Sequence, residues 1–412
     1  MKARDAARVL AEFRPGLNVY LQGAGGEPLA LGPILASAAG ALDGVSITGC
    51  LLPGINRFDY AALGARLTTF MLPPALRTSF EAGSVTVRPM AYSQIAAEMA
   101  SGPAPDLAVF QVTAPDSEGL CSFGPCADFA PLVASRAGRR LAFIHADLPR
   151  PRRGPTIPFA SLDVAIETAG PFITGEETPP SSDLNAIADR ISALVPDGAA
   201  IQSGIGGAPA AAVARLADHR GLVIRSGMVT EGYRRLDEAR ALDPDADHVT
   251  GLAHGSADFM AWAARRLVFA DATVTHGAAT LGRIPRLWAI NSALEVDLFG
   301  QGNIEWREGT LVSGLGGALD FARAARTSDG GRAILALPAS AAGGRISRIV
   351  PRLTAPTVSL SREDVDLVIT ENGVADLRAA SLEGRAEALI AIAAPQHQGA
   401  LETAWSEIRA KL

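Results

Sequence analysis

Short apolar runs recur along the whole chain, each closed by Gly, Pro or Asp, and longer Ala/Leu/Arg-rich stretches separate them. LNVYLQG (17–23), DGVSITGCLL (43–52), PDLAVFQV (105–112) and RRLAFIHAD (139–147) have the length and apolar density of buried strands. The stretches between them, such as PLALGPILASAAGA (28–41), space their apolar residues at helical intervals. A strand buried on both faces needs helices above and below it, and a parallel neighbour needs a long crossover. The alternation therefore predicts an α/β chain with largely parallel, open sheets.

The pattern breaks at PFITGEETPPSSD (171–183), which has neither period and is dense in Pro, Ser, Thr and Glu. We read a linker at about 176–183, between an N-terminal α/β domain at 1–175 and a C-terminal one at 184–412. The length of 412 residues suits this division, since single cores rarely grow past about 250–300 residues. The second series of strands is GAAIQSGIG (198–206), GLVIRSG (221–227), LVFADATV (267–274), RLWAINSALEVDL (286–298), RAILALP (332–338) and VDLVITENG (365–373). Two such halves lead us to expect a ligand site in the cleft at their junction.

Composition removes several classes. With 48% hydrophobic and 19% charged residues the chain carries large buried layers. A net charge of −6 with no Lys/Arg-rich run leaves no footprint for nucleic acid. No window approaches the roughly 18 apolar residues of a membrane span, and MKARDAARVLAEFRPG reads as an amphipathic helix, not a signal peptide. Cys50, Cys121 and Cys126 are too few for a disulfide framework and too few for a zinc site, so we expect a cytoplasmic protein with no metal.

Three glycine-rich segments of the second half have the chemistry of ligand loops. In IQSGIGGAPAAAVARLADH (201–219), a strand gives way to Gly204, Ile205, Gly206, Gly207 and Ala208, then Pro209 and an Ala-rich helix. Glycines let a ligand approach the backbone, and a helix start offers free N–H groups to phosphate. A dinucleotide fingerprint would need a third glycine where Pro209 stands. LVSGLGGALDFARAA (311–325) clusters Gly314, Gly316 and Gly317, whose N–H groups suit a developing oxyanion. LPASAAGGRISRIVP (337–351) sets Gly343 and Gly344 before Arg345 and Arg348. In the first half, Asp116 and Glu118 follow a strand in QVTAPDSEGLCSFG (111–124); an acidic pair is one reading and turn chemistry the commoner one. His254 and His276 lie in glycine-flanked loops, where either a general base or a plain loop histidine fits.

Together, AINSALEVDLFGQ (289–301), SGLGGALDF (313–321), LPASAAGGRISRIVP (337–351), TENGVADLR (370–378), PDLAVFQVTAPDSEGLCSFG (105–124) and GIGGAP (204–209) make the chain resemble the acetyl-CoA hydrolase/transferase family, which includes acetate and 4-hydroxybutyrate CoA-transferases. The resemblance implies two open α/β domains, with coenzyme A as substrate or acyl-CoA and GIGGAP in its site. It places SGLGG beside the thioester, with a carboxylic acid as acceptor and a homodimer as the expected assembly. It implies ping-pong transfer, in which a glutamate attacks the thioester and becomes a glutamyl-CoA. In the family that glutamate follows GIGGxP by about twenty residues, in Ile-His/Tyr-Ser/Thr-Glu-Met/Val-Ile-x-Asp-Gly. Here the stretch is Ile224-Arg225-Ser226-Gly227-Met228-Val229-Thr230-Glu231-Gly232. The nucleophile's position holds Gly227, which has no side chain.

Three readings follow. The chain is an acyl-CoA enzyme that dispenses with the glutamate, hydrolase-like or altered in chemistry, with Glu231, Glu295, Asp116 or Glu371 activating water. Alternatively it is a CoA-transferase with Glu231 as displaced nucleophile, against which stands the approach of about 3–3.5 Å that a reacting pair needs. Alternatively it is a non-catalytic CoA-binding protein or inactive subunit. Arg225 fits a substrate carboxylate, a CoA phosphate or a structural ion pair.

Overall fold

A computed structural model describes residues 3–412, which fall into two compact units. The first comprises the chain up to Glu176 with His248–Thr275 and Val312–Gly316; the second comprises Glu177–Asp247, His276–Leu311 and Gly317–Leu412. The chain thus leaves the first unit at the Pro/Ser-rich stretch, while two later segments belong to that unit again.

The first unit is built on β1 (Asn18–Leu21), β2 (Ser46–Thr48), β3 (Arg66–Thr69), β4 (Val85–Val87), β5 (Leu107–Thr113), β6 (Arg139–His145) and β7 (Val164–Thr168), in the order β4-β3-β2-β1-β5-β6-β7. Each neighbouring pair is parallel. β5 is buried at every residue, which is why its sequence is a continuous apolar run without alternation. A short parallel pair, Val249–Ala253 with Val268–Phe269, lies in the same unit.

The second unit carries β8 (Ala200–Ser203), β9 (Val223–Val229), β10 (Leu287–Ser292), β11 (Arg332–Ala336), β12 (Leu367–Thr370) and β13 (Gly373–Asp376). The order is β9-β8-β10-β11-β12-β13, parallel except for the last hairpin. Helices α1 (Ser182–Leu194), α2 (Gly207–Arg215), α3 (Glu231–Glu238) and α4 (Ala318–Thr327) flank these strands in sequence. α1 begins where the Ser181 hydroxyl accepts from the Leu184 N–H, a hydroxyl cap at the end of the Pro/Ser-rich stretch. Leu287, Ala289, Leu335 and Val368 meet Phe321, Leu389 and Trp405 in one buried cluster.

Several sequence expectations change. LVFADATV is a strand only at Val268–Phe269; the Asp271 carboxylate then accepts from the Thr273 N–H and Ala272–Thr275 turns helical. RLWAINSALEVDL breaks after Ser292, and Glu295–Asp297 pairs instead with Gly302–Asn303 and Ile349–Val350. GLVIRSG is not the end of its strand: β9 continues past Gly227 to Val229. Cys50, Cys121 and Cys126 are free and buried. Among the described residues no helix is long and apolar enough to cross a membrane.

Leu335, 1% exposed at the centre of the second sheet, carries a direct test of this core. Leu335→Ala is expected to cost about 2–5 kcal/mol in urea unfolding, and a loss under about 1 kcal/mol would contradict the packing described.

Candidate active site

The four-residue ladder from Ala200↔Leu287 to Ser203↔Ile290 sets β8 and β10 in register, and β10 runs two residues past the end of β8, to Ser292. The glycine turn after β8 therefore leaves directly across Asn291 and Ser292. A Cβ on Gly204 would stand 2.3 Å from Asn291 Oδ1, and one on Gly206 would stand 2.4 Å from Ser292 Oγ. Gly206 has φ +138° and ψ 162°, a conformation essentially reserved for glycine. Asn291 is held by Gln202, each amide donating to the other at 3.2 Å. α2 starts at Gly207, so its first N–H groups, those of Gly207 and Ala208, point out of the turn. Ile205, 54% exposed, stands at the tip. This is a backbone donor cluster suited to a phosphate or an oxyanion.

A buried hydroxyl network ties β8, β9 and α3 together. The Tyr233 hydroxyl donates to Ser203 Oγ at 3.0 Å, and Ser226 Oγ donates to the Met228 carbonyl at 2.7 Å. Burial pushes the Tyr233 phenol up to about 12, so it stays protonated and a donor. Ser203, Ser226 and Met228 lie in stretches that the sequence singles out, but Tyr233 belongs to no pattern that sequence reading would select.

Gly227 sits in β9 with no positive φ, so its backbone does not require glycine. Space does. A Cβ there would stand 2.6 Å from both Cε1 and Nε2 of His276. A Cβ on Gly317 would stand 2.4 Å from the same Nε2, and Gly317 likewise has an ordinary φ of −92°. The imidazole is 4% exposed and meets the Phe321 ring edge-on at 5.1 Å between centroids. Burial lowers its pKa to about 3, so the ring is neutral at ordinary pH. The glycine at 227 is the room that a histidine ring needs.

The carboxylates considered as replacements are each engaged in local structure. Glu231 begins α3, and its side chain pairs with Arg234 at 3.1 Å. Glu295 accepts from the Thr354 and Ala355 N–H groups and from the Thr354 hydroxyl. Glu371 accepts from the Ala339 N–H at 2.8 Å. Asp116 accepts from the Leu120 and Glu118 N–H groups and pairs with Arg150, so it builds the turn; the backbone bond from Leu120 is the main reason its pKa is lowered. Glu118 is exposed beside it.

The other sequence candidates are spread through the two units. Gly314 and Gly316 lie in the first, where a Cβ on Gly314 would stand 2.5 Å from the Phe70 carbonyl and the Gly316 carbonyl accepts from Tyr92 N–H. Gly343 and Gly344 take φ +68° and +87° between the paired segments Ser340–Ala341 and Ile346–Ser347. Turn geometry alone accounts for both glycines, and Arg345 follows them. Arg348 is half-buried, and burial with the neighbouring Arg307 lowers its pKa. Arg225 is also lowered by burial, against the opposing effect of Asp247. His254 belongs to the first unit, against Gly175. That unit also holds a cavity of about 260 Å³, walled by Leu29, Ile55, Phe58 and Tyr60 and carrying Glu27 and Arg57. Asn56 and Tyr60 donate to the Glu27 carboxylate at 2.7 and 2.8 Å, but burial outweighs them and raises its pKa.

These open parallel sheets and their strand-end glycine turns define a CoA-transferase-like α/β protein. Residues 255–405 match the acetyl-CoA hydrolase/transferase C-terminal domain. The 4-hydroxybutyrate coenzyme A transferase of Clostridium kluyveri is 34% identical over 308 residues, covering 72% of this chain and 71% of that protein. The acetyl-CoA hydrolase of Saccharomyces cerevisiae is 30% identical over 209 residues, 49% of this chain and 39% of that one. Among solved structures, 4-hydroxybutyrate CoA-transferase from Porphyromonas gingivalis superposes with a TM-score of 0.81 at 28% identity, covering 99% of this chain and 97% of that one. RipA from Yersinia pestis shares the fold, with a TM-score of 0.90 at 24% identity, covering 98% of this chain and 97% of that one. The chain belongs to the acetyl-CoA hydrolase/transferase family.

The neutral ring of His276 makes a pH prediction. The folded pKa lies below the ordinary value of about 6.5, so the unfolded chain binds the extra proton first and stability falls as pH drops below about 6.5. Between pH 6.5 and 5 this amounts to about 2 kcal/mol, and His276→Gln is expected to remove that part of the acid loss in urea titrations. An unchanged pH dependence in the variant would contradict a neutral, buried ring.

Proposed function

We propose that this chain acts on an acyl-CoA thioester without passing through a glutamyl-CoA intermediate, with water as the acyl acceptor. Gly227 carries this reading: at the position where the family resemblance calls for the nucleophilic carboxylate there is no side chain, and an imidazole holds the adjoining space. The glycine turn Gly204–Ala208 supports a CoA or oxyanion role through its free N–H groups, and Gly314, Gly316 and Gly317 are proposed for the thioester carbonyl. Gly343 and Gly344 enter as part of the proposed CoA surface beside Arg345 and Arg348. Oxyanion donors contribute about 10²–10³-fold and a positioned base about 10²–10⁴-fold, so hydrolysis without a covalent intermediate is energetically open.

Transfer through Glu231 is the weaker reading, because that carboxylate opens a helix and is paired with Arg234. Incubation with acetyl-CoA, butyryl-CoA and succinyl-CoA separates the two. The expected result is free CoA thiol without an added acid, no carboxylate trapped by hydroxylamine or borohydride, and at most a few-fold change in Glu231→Gln. A trapped glutamyl adduct, or release that depends strictly on an acceptor acid, would replace hydrolysis by transfer.

A further inference from the structure

The cavity of the first unit has no part in the hydrolytic reading, yet it is built with care. β1 and β2 are parallel neighbours, so the loops that follow them, residues 23–30 and 49–60, emerge at one edge of the sheet. Open α/β sheets hold their ligands at this carboxyl edge. Asn56 fastens the two loops together: its Oδ1 accepts from the Ala24 and Leu52 N–H groups at 3.1 and 2.7 Å. Its Nδ2 donates to the Ala24 carbonyl and to Glu27 Oε2, and the Tyr60 hydroxyl donates to Glu27 Oε1. Glu27, 3% exposed, is thereby fixed as the only carboxylate lining the cavity. Gly32 clears space for the opposite wall, since a Cβ there would stand 2.5 Å from the Phe58 ring. That ring tilts against Tyr60 at 4.7 Å between centroids. The volume of about 260 Å³ falls below the roughly 300–1,000 Å³ of sites for drug-sized ligands, so it suits a short chain and not a nucleotide.

Resting on the acyl-CoA reading above, we propose that this cavity holds the acyl chain and that Glu27 selects it: a short apolar chain with a hydroxyl at its far end is accepted, and a chain that ends in a carboxylate is turned away. The loop proposed for the thioester carbonyl belongs to the same edge of the same sheet. Gly314 packs on the Phe70 carbonyl directly after β3, and the Gly316 carbonyl accepts from the Tyr92 N–H. From there the contacts continue into the loop after β2, where Cys50 Sγ donates to the Tyr92 hydroxyl and the Leu51 N–H to Thr69 Oγ1. Leu29, Ile55 and Phe58 supply the apolar sides that a hydrocarbon chain needs. A carboxylate has about four acceptor positions, and Asn56 and Tyr60 take two of them. A ligand hydroxyl can donate to another, whereas a second carboxylate would bring two like charges together away from bulk water. Arg57 is exposed, so solvent screens its attraction for a ligand carboxylate and the buried repulsion decides.

Thioether analogues that cannot be hydrolysed read this selection apart from turnover. Calorimetry on the full chain at pH 8 compares CoA, S-butyl-CoA, S-(4-hydroxybutyl)-CoA and S-(3-carboxypropyl)-CoA. The hydroxybutyl thioether is expected to bind about 30-fold tighter than the carboxypropyl one, with S-butyl-CoA between them. Glu27→Gln is expected to narrow that gap to about threefold or less and to leave CoA affinity unchanged. Leu29→Trp tests the cavity without touching the Glu27 network, because Leu29 is 42% exposed and a larger side chain there closes the mouth. It is expected to bring all three thioethers to the affinity of CoA itself. Equal affinities of the three in wild type, or a gap that survives Glu27→Gln, overturn the inference and leave the acyl-CoA reading standing. Thioether binding unchanged by Leu29→Trp also overturns it, and this arm decides if Glu27→Gln does not fold. No binding of CoA or of any thioether by wild type overturns the acyl-CoA reading and the inference with it. The expected selectivity without CoA release from any thioester would sink hydrolysis alone and uphold the cavity as the acyl site.

Discussion

The in-register parallel ladder of β8 and β10 governs the chemistry available to the second unit. Its hydrogen bonds bring Ser203 level with Ile290, so the chain that leaves β8 has to turn across the Asn291–Ser292 backbone. A Cβ at 204 or 206 would stand 2.3–2.4 Å from the side-chain oxygens of Asn291 and Ser292, which would have to shift, and the φ of +138° at 206 favours glycine in its own right. A second parallel ladder, on the other edge of β8, sets β9 beside it through Ala200↔Val223 and Ile201↔Ile224. Ser203, Ser226 and Tyr233 then fasten the ends of both strands to α3. Close packing, not ligand binding, is thus sufficient reason for two of these glycines. What the turn leaves at its far side is the N–H edge at the start of α2.

Gly227 inverts that logic. Elsewhere in the turn, glycine lets backbone meet its neighbours; at 227 and 317 it makes room for a side chain arriving from another part of the sequence. A glutamate at 227 and a histidine ring at 276 compete for one volume, so replacing the glycine does not simply restore a carboxylate to a vacant place. The pair Gly227–His276 is one structural decision expressed at two positions. This also ranks the remaining carboxylates: Glu295, Glu371 and Asp116 hold loop N–H groups and Glu231 opens a helix, so each is occupied with local structure.

Much of the architecture is legible in the sequence because burial on both faces leaves a plain signal. β5 and β6, as Leu107–Thr113 and Arg139–His145, are apolar runs that no amphipathic helix would need. Arg66–Thr69, Val85–Val87 and Val164–Thr168 escape such a reading because short strands with exposed or charged ends carry too few apolar residues to show a period. LVFADATV misleads because apolar content continues through it, while Asp271 redirects the backbone with a side-chain hydrogen bond. RLWAINSALEVDL misleads because one hydrophobic run serves two sheets in succession, with the Leu294 N–H passing to the Asn303 carbonyl.

Local pattern and residue type are enough to establish the alternation of strands and helices, the glycine turns at their junctions, the family, and the lack of a carboxylate at 227. What stands in that place was settled by assembly of the sheet. His276 and Phe321 come to Gly227 from later segments of the chain, and no local period or spacing encodes which side chain will fill a gap left by another. Volume exclusion acts between neighbours in space, and those neighbours exist only once the strands have paired.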